Sequence, residues 1–187
     1  MQDVTTLRMS VFAAVFAALI AVGAYLSIPL KPVPIVLQNL FVLLAGLVLG
    51  PTWGSISVLV YLAAGAVGLP VFAGGTGGLA KFAGPTGGYL VGFLAAAWIT
   101  GWVSTRKTFS SRFRDRLAVI TGSAVIYALG VPWLKYILEL SWSQAVGAGM
   151  LPFLPGTLVK MAAALLLAEP VRRRMNDRPE FSSDGRS

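Results

Sequence analysis

Apolar runs separated by short polar or turn-forming stretches follow one another along almost the whole chain. A helix needs about 20 predominantly apolar residues to cross a bilayer, and six runs reach or approach that length. The pattern predicts an all-α integral membrane protein with six transmembrane helices, in a single domain that occupies residues 1–187. We place the spans at residues 9–28, 35–50, 55–69, 85–103, 117–140 and 151–168, with a basic tail at 171–187.

Prolines and glycines mark the breaks between the runs. The prolines between residues 29 and 34 predict a stiff, extended connection after the first span. Residues 50–54 predict a tight turn between the second and third spans. In the fifth span, Gly130 and Pro132 predict a kink or a local unwinding, because proline removes a helical hydrogen bond. The first run also has an alternative interpretation as a cleaved signal peptide, although five further apolar runs follow it.

The connection between the third and fourth spans is rich in glycine. Residues 74–93 hold eight of the 21 glycines, together with Lys81. Glycine costs about 1 kcal/mol relative to alanine inside a helix, but it adopts positive φ values and lets the backbone approach a ligand closely. This Gly-rich loop is therefore either a binding loop or a tight connection between two helices.

No nucleotide-binding motif accompanies the Gly-rich loop. Residues 75–80 fit the GxGxxG/A pattern loosely, but that pattern binds dinucleotides between a strand and a helix, and here apolar spans flank it. The sequence also lacks GxxxxGK[ST], the P-loop that holds ATP. If the protein takes part in active transport, another subunit has to hydrolyse the ATP.

Composition narrows the classes of function. Apolar residues make up 56% of the chain and charged residues only 12%, whereas soluble domains carry about 25% charged residues. The chain has no cysteine and no histidine, and Glu139 is the only acidic residue within the predicted spans. Hydrolysis within a membrane needs a nucleophile with a base, paired acids or metal ligands. We therefore predict that the protein is not an enzyme and has neither a metal nor a cofactor.

Lysine and arginine are distributed unevenly between the two faces of the membrane. Under the six-span count, eleven of the 15 lie before the first span, in the 106–116 loop or in the tail. Basic residues concentrate on the cytoplasmic side of membrane proteins. The distribution predicts a multi-pass protein of the cell membrane with both termini in the cytoplasm. It also accounts for the net charge of +8 without a nucleic-acid partner.

A few polar residues lie within or beside the apolar spans. Lys160 lies inside the sixth span, where an ionisable group usually faces an interior cavity; the alternative is that it snorkels to the interface. Gln38 and Asn39, near the start of the second span, either bond to another helix or contact a substrate. Lys81 is either a ligand contact or a solvated loop residue.

Small residues recur four positions apart along the first span, at Ala13, Ala17 and Ala21. Such a strip lets another helix pack closely against it. The strip is therefore either a packing face within the protein or a contact for a partner protein.

Four segments together resemble the BioY family, the biotin-specific substrate-binding subunits (S components) of energy-coupling-factor (ECF) transporters. The resemblance covers nearly all of the chain from Arg8 to Ala168. Its most specific parts are GPTGGYL and PFLPGxLxK. The segments are VPIVLQNLFVLLAGLVLG at 33–50, GGTGGLAKFAGPTGGYLVGF at 74–93, YALGVPWL at 127–134 and PFLPGTLVK at 152–160.

The resemblance implies a six-helix subunit that captures biotin from outside a prokaryotic cell. It would dock on a transmembrane coupling subunit driven by two ATPase subunits, and the alanine strip resembles the docking face. Family members usually carry an acid where this chain has Thr157. A hydroxyl still forms hydrogen bonds there but supplies no charge.

The candidate ligand-binding residues combine this resemblance with the chemistry of biotin, which has an apolar tail, an amide-like fused ring and a carboxylate. Such a ligand needs apolar walls, a few oriented polar groups and a cation. The candidates are Gln38, Gly75, Gly77, Gly78, Lys81, Phe82, Pro85, Thr86, Gly87, Tyr89, Trp133, Thr157 and Lys160. An S component for another vitamin and a structural membrane subunit without a ligand are the alternatives.

Overall fold

The computed structural model describes residues 2–106 and 110–176, and its backbone is almost entirely helical. This confirms the all-α prediction. The predicted tail beyond residue 176 and residues 107–109 of the 106–116 loop lie outside the described residues. The helices are α1 (Gln2–Tyr25), α2 (Gln38–Ala66), α3 (Ala80–Ala83), α4 (Gly87–Thr105), α5 (Ser111–Ile137), α6 (Trp142–Gly149) and α7 (Leu154–Asn176).

Two short elements complete the chain. The proline-rich connection after α1 is an antiparallel hairpin of two strands, β1 (Ser27–Ile28) and β2 (Ile35–Val36). A 3₁₀ turn, Leu151–Phe153, leads into α7. Five stretches of the described chain are long and apolar enough to cross a membrane: Thr5–Tyr25, Gln38–Ala66, Gly87–Thr105, Ser111–Ile137 and Trp142–Met175.

One of these five stretches, α2, crosses the bundle twice. The backbone leaves the helical region at Gly50, with φ 78° and ψ −175°, and Pro51 follows. The Tyr61 hydroxyl lies 3.3 Å from Oε1 of Gln38, 23 residues earlier, whereas a continuous helix of that length would separate them by about 35 Å. The two arms of α2 are therefore antiparallel, and the bundle contains six helical passages. The first arm corresponds to the predicted span 35–50 and the second to 55–69.

Glycines bring α4 close to both of its neighbours. A Cβ atom added at Gly101 would lie 2.3 Å from the Pro51 nitrogen, and one at Gly88 would lie 2.3 Å from Cβ of Trp133. Small residues at such positions let transmembrane helices pack backbone against backbone. This contact fixes α4 between α2 and α5, in the middle of the bundle.

In the fifth helix the local unwinding that the sequence allowed does not occur, because α5 continues as a helix through Gly130 and Pro132. The ring of Tyr89 packs so closely on Gly130 that an added Cβ would lie 2.4 Å from it. Proline removes only one backbone hydrogen bond, and packing against α4 stabilises the helix on either side of the gap. Gly130 therefore allows α5 to pack closely against α4 and does not end the helix.

Between α5 and α7, residues 142–149 form the short helix α6. Its first turn has a capping box, in which the Ser141 hydroxyl accepts from the Gln144 backbone N–H and the Gln144 side chain accepts from the Ser141 N–H. This motif satisfies two backbone donors that a short helix otherwise leaves unpaired.

The alanine strip of α1 faces the interior of the protein. Ala13 and Ala17 are 2% and 7% exposed, and Ala21 is partly buried. The helix packs on α2, where an added Cβ at Gly23 would lie 2.8 Å from Cα of Gln38. Burial favours internal packing over partner docking for this strip. The neighbouring residues Ala14 and Ala18 are exposed.

An arginine near the end of α7 ties three helices together. Arg172 donates to Oδ2 of Asp115 in α5 at 2.6 Å and, through Nε, to the Leu47 carbonyl of α2 at 3.0 Å. The residue four positions after Leu47 is Pro51, which has no N–H, so this carbonyl lacks its usual helical donor. We call Arg172, Asp115 and the Leu47 carbonyl the arginine clamp, and the end of the bundle that contains it the basic end.

Candidate functional site

A cavity of about 410 Å³ lies at the end of the bundle opposite the arginine clamp. Along α7, its residue Lys160 is about 18 Å from Arg172. Volumes of about 300–1,000 Å³ are typical of small-molecule sites. The cavity is lined by Pro32, Val33, Pro34, Val36, Gln38, Asn39, Phe72, Ala73, Thr76, Ala80, Lys81, Gly84, Pro85, Thr86, Tyr89, Leu90, Phe93, Tyr127, Phe153 and Lys160.

One wall of the cavity is the Gly-rich loop, which folds as a series of ordered turns. The Phe72 N–H donates to the Thr76 carbonyl at 2.8 Å, and the Gly75 N–H donates back to the Phe72 carbonyl at 3.0 Å. Gly74 and Gly75 have φ values of 74° and 67°, which side chains other than glycine rarely allow. The glycines therefore fold the loop tightly enough for Ala73 and Thr76 to reach the cavity.

Aromatic contacts fasten this loop to the bundle. The rings of Tyr61, Phe72 and Phe82 meet edge to face, with centroid separations of 5.5 Å and 5.8 Å. Phe72 also covers Gly65, where an added Cβ would lie 2.0 Å from its ring. Edge-to-face pairs contribute about 0.5–1.5 kcal/mol beyond the burial of their area. The cavity face of Phe72 is thereby held in place from behind.

Trp133 fixes the far end of the same loop. Its Nε1 donates to the Gly84 carbonyl at 2.9 Å. An added Cβ at Gly87 would lie 1.8 Å from the Phe82 carbonyl oxygen, so only glycine fits where the loop enters α4. These contacts set the position of Pro85 and Thr86, which line the cavity.

Lys160 reaches from α7 across to the hairpin. It is 8% exposed, and its Nζ donates to the Val36 carbonyl at 2.6 Å. Lys81 lines the same cavity from the Gly-rich loop, and the lining contains no aspartate or glutamate. A buried ammonium without an acidic partner is costly, so the cavity is electrostatically suited to an anionic ligand.

The remaining polar groups of the cavity differ in how well they are satisfied. The Tyr89 hydroxyl donates to the Gly149 carbonyl at 2.7 Å, and the Tyr127 hydroxyl lies 2.6 Å from Oγ1 of Thr157. Oδ1 of Asn39 is buried and has no hydrogen-bond partner among the described residues. Buried acceptors are nearly always paired in native proteins. We therefore expect a donor from a ligand or a water molecule to pair with this oxygen.

Comparison with known proteins identifies the family of this chain. A family model described as "BioY family" matches residues 1–177. The chain belongs to the BioY family. Among relatives, "Biotin transporter BioY" of Thermotoga maritima is 42% identical over 163 residues, which cover 87% of this chain and 94% of that protein. "Probable biotin transporter BioY" of Pyrococcus horikoshii is 43% identical over 156 residues, covering 83% and 91%.

A solved structure has the same fold as this chain of the BioY family. The crystal structure of the S-component for biotin from an ECF-type ABC transporter superimposes with a TM-score of 0.82. The sequences are 29% identical, and the match covers 95% of this chain and 96% of that one.

Six of the thirteen candidate ligand residues line the cavity: Gln38, Lys81, Pro85, Thr86, Tyr89 and Lys160. The structure brings these together from three separate parts of the sequence. Their contact with a ligand stays a prediction.

The other seven candidates lie outside the lining: Gly75, Gly77, Gly78, Phe82, Gly87, Trp133 and Thr157. Their contacts hold the lining residues in position. Gly77, for example, has no room for a Cβ, which would lie 2.3 Å from the Leu69 carbonyl oxygen. Thr157 contacts the hydroxyl of Tyr127, which itself lines the cavity.

Several lining residues were not among the candidates, notably Val33, Phe72, Phe93, Tyr127 and Phe153. Their side chains are apolar or aromatic and lie in segments rich in similar residues, so composition does not distinguish them. Family resemblance did carry a signal for Val33, Phe93, Tyr127 and Phe153, because each belongs to a segment that supports it, whereas Phe72 lies outside those segments.

Proposed function

We propose that this protein binds biotin in the cavity and serves as the S component of an ECF-type ABC importer. The observation that carries the proposal is a small-molecule cavity whose lining, among the described residues, holds two lysines and no acidic side chain. In a site partly removed from water, such a charge balance favours an anionic ligand. The BioY relatives and the S-component structure support the choice of biotin.

The groups around the cavity match the parts of biotin. Lys160 or Lys81 offers an ammonium to the carboxylate. The unpaired oxygen of Asn39 accepts an N–H of the fused ring. The rings of Phe72, Phe93 and Phe153 provide apolar walls for the thioether ring and the aliphatic tail. Together, an ammonium group, a free acceptor and apolar walls match the carboxylate, the fused ring and the apolar parts of biotin.

The direct test is to measure which small molecule the purified subunit binds. We expect mass spectrometry of the protein purified from biotin-containing medium to find biotin. We also expect calorimetry on ligand-free protein to show saturable binding of biotin and none of thiamine, which is a cation. Saturable binding of a different vitamin would favour an S component of other specificity. No binding of any vitamin would favour a structural subunit.

Uptake against a gradient needs an energy source outside the described part of this chain. We propose that a transmembrane coupling subunit and two ATPase subunits provide it. On α1, Val11, Val15, Ala18 and Val22 are exposed and lie along one side of the helix. This exposed apolar side of α1 is available to a partner, whereas the alanine strip of Ala13 and Ala17 is buried.

Tryptophan substitutions distinguish these two sides of α1. We expect Ala17→Trp to destabilise the isolated subunit by about 1–3 kcal/mol, because it overpacks a filled interior. Ala18→Trp should leave thermal stability and biotin binding unchanged, and it should reduce co-purification with the coupling subunit. If Ala17→Trp instead leaves stability intact and blocks only complex formation, the buried strip is the docking face.

Both termini are proposed to be cytoplasmic, because the six passages place the termini on one side and the basic residues lie at that end. A reporter fused after Arg178 or inserted in the 106–116 loop should report a cytoplasmic position. A reporter inserted between Leu140 and Ser141, before α6, should report an external one. A cytoplasmic signal from the last insertion would contradict the six-passage topology.

A further inference from the structure

At the basic end, a groove of about 900 Å³ lies between the start of α5 and the end of α7. It lies at the end of the bundle opposite the biotin cavity, so the proposed vitamin site does not use it. We call it the α5–α7 groove. Its walls combine arginine side chains with apolar residues of α7.

The arginines of the groove are not all neutralised. Asp115 is paired with Arg172, and Glu169 is paired with Arg173. Arg112 and Arg116 line the groove, are exposed, and have no acidic partner among the described residues. They are four residues apart on α5 and therefore adjacent on one helix face, where like charges repel. Arg112 also lies in the first turn of α5, at the positive end of the helix dipole, where cations are disfavoured. An anion between them removes both penalties.

The apolar wall of the groove identifies what kind of anion fits. Ala162, Leu165 and Leu166 of α7 line it below the arginines, and Leu166 is 76% exposed. Since α7 belongs to a membrane-spanning stretch, an exposed leucine there faces acyl chains. A free phosphate ion would fill only the arginine end of this groove. A phospholipid fills both parts, and basic pockets between helices on the cytoplasmic side are known to bind anionic head groups.

We propose that the α5–α7 groove binds an anionic glycerophospholipid, with Arg112 and Arg116 on its phosphate and an acyl chain against Leu165 and Leu166. Because the basic end is proposed to be cytoplasmic, this lipid would come from the cytoplasmic leaflet of the membrane. The groove keeps its charge and apolar wall whether or not the opposite cavity holds biotin, so the two proposals are tested by separate measurements.

Native mass spectrometry of the intact protein, titrated with phosphatidylglycerol or phosphatidylcholine, tests this site. Wild type should retain phosphatidylglycerol preferentially. The double variant Arg112→Gln/Arg116→Gln should bind it more weakly, on the order of tenfold or more, because each arginine near the membrane surface contributes to anion binding. The matched control Arg8→Gln/Arg106→Gln removes the same charge from exposed positions away from the groove, and it should bind phosphatidylglycerol as wild type does.

Each other outcome would overturn the lipid site. Equal losses in both double variants would mean that overall charge, and not the groove, attracts lipid. Complete competition by inorganic phosphate would mean that the groove holds a free anion. Unchanged lipid binding, with loss of co-purified coupling subunit, would assign the arginines to the partner protein. Biotin binding measured on each variant shows that it is folded, because the cavity is at the other end.

Discussion

Replacing Lys160 with methionine is expected to weaken biotin binding by roughly ten- to a hundredfold. Methionine keeps much of the aliphatic stem and removes the ammonium. A hydrogen bond to a charged group contributes about 1.5–3 kcal/mol, and each 1.4 kcal/mol is about tenfold in affinity. Lys160 is 8% exposed and has no acid beside it in the cavity lining, so little water competes for its charge. Calorimetry with purified ligand-free protein measures the change.

Two controls separate a carboxylate contact from a structural effect. Lys81→Met removes the other lysine of the cavity. The biotin analogue with an uncharged amide in place of the carboxylate tests the ligand's charge. If Lys160 binds the carboxylate, wild type should lose affinity for the amide, and Lys160→Met should bind both ligands similarly. A mutant that still prefers the acid as strongly as wild type would assign the carboxylate to Lys81.

The contact of Lys160 with the Val36 carbonyl predicts a second, smaller effect. Losing this donor leaves the carbonyl dependent on water and loosens the hairpin against α7. Thermal unfolding without biotin reports that loss separately from ligand affinity. Biotin affinity unchanged by Lys160→Met would limit Lys160 to this structural role.

Replacing Arg172 with methionine is expected to destabilise the folded subunit by about 1.5–3 kcal/mol, the range for hydrogen bonds to charged groups, because the pair with Asp115 is partly buried. The substitution removes the donors to both Asp115 and the Leu47 carbonyl. Asp115 is only 14% exposed in its side chain, so its charge would be left poorly solvated. Thermal unfolding in one detergent, compared between variant and wild type, measures the effect.

Arg173→Met is the matched control for the arginine clamp. Arg173 is paired with Glu169, but their side chains are 74% and 65% exposed, and exposed pairs contribute about 0–1 kcal/mol. Adding Asp115→Asn to Arg172→Met should recover part of the loss, because it removes a carboxylate whose remaining ion-pair partner among the described residues is Arg114, at 3.7 Å. Equal unfolding temperatures for Arg172→Met and Arg173→Met would show that the clamp does not stabilise the bundle.

The glycines show how far a sequence predicts a site. Their number in the Gly-rich loop indicated close approach and positive φ values, and Gly74 and Gly75 adopt such values. What each approaches was not predictable, because the partner comes from elsewhere in the chain. Gly88 makes room for Trp133 of α5, and Gly75 lies against Tyr25 of α1. Several residues of the family motifs thus shape the loop and do not line the cavity.

Some features of this protein follow from local composition, namely its hydrophobic runs, its turn residues and the distribution of its basic residues. These features by themselves determined the helical membrane class, the approximate spans and the basic end. Only the tertiary structure decided which polar and small residues share a site. Lys160 meets Val36 across 124 positions, and the amide oxygen of Asn39, a residue of the cavity lining, has no partner among the described residues. The alanine strip of α1 is regular in sequence, yet its burial depends on where α2 packs. Such contacts follow from the fold-back at Gly50 and from the packing of the helices. These bring together residues that are far apart in the sequence, so their spacing along the chain does not predict that they are close.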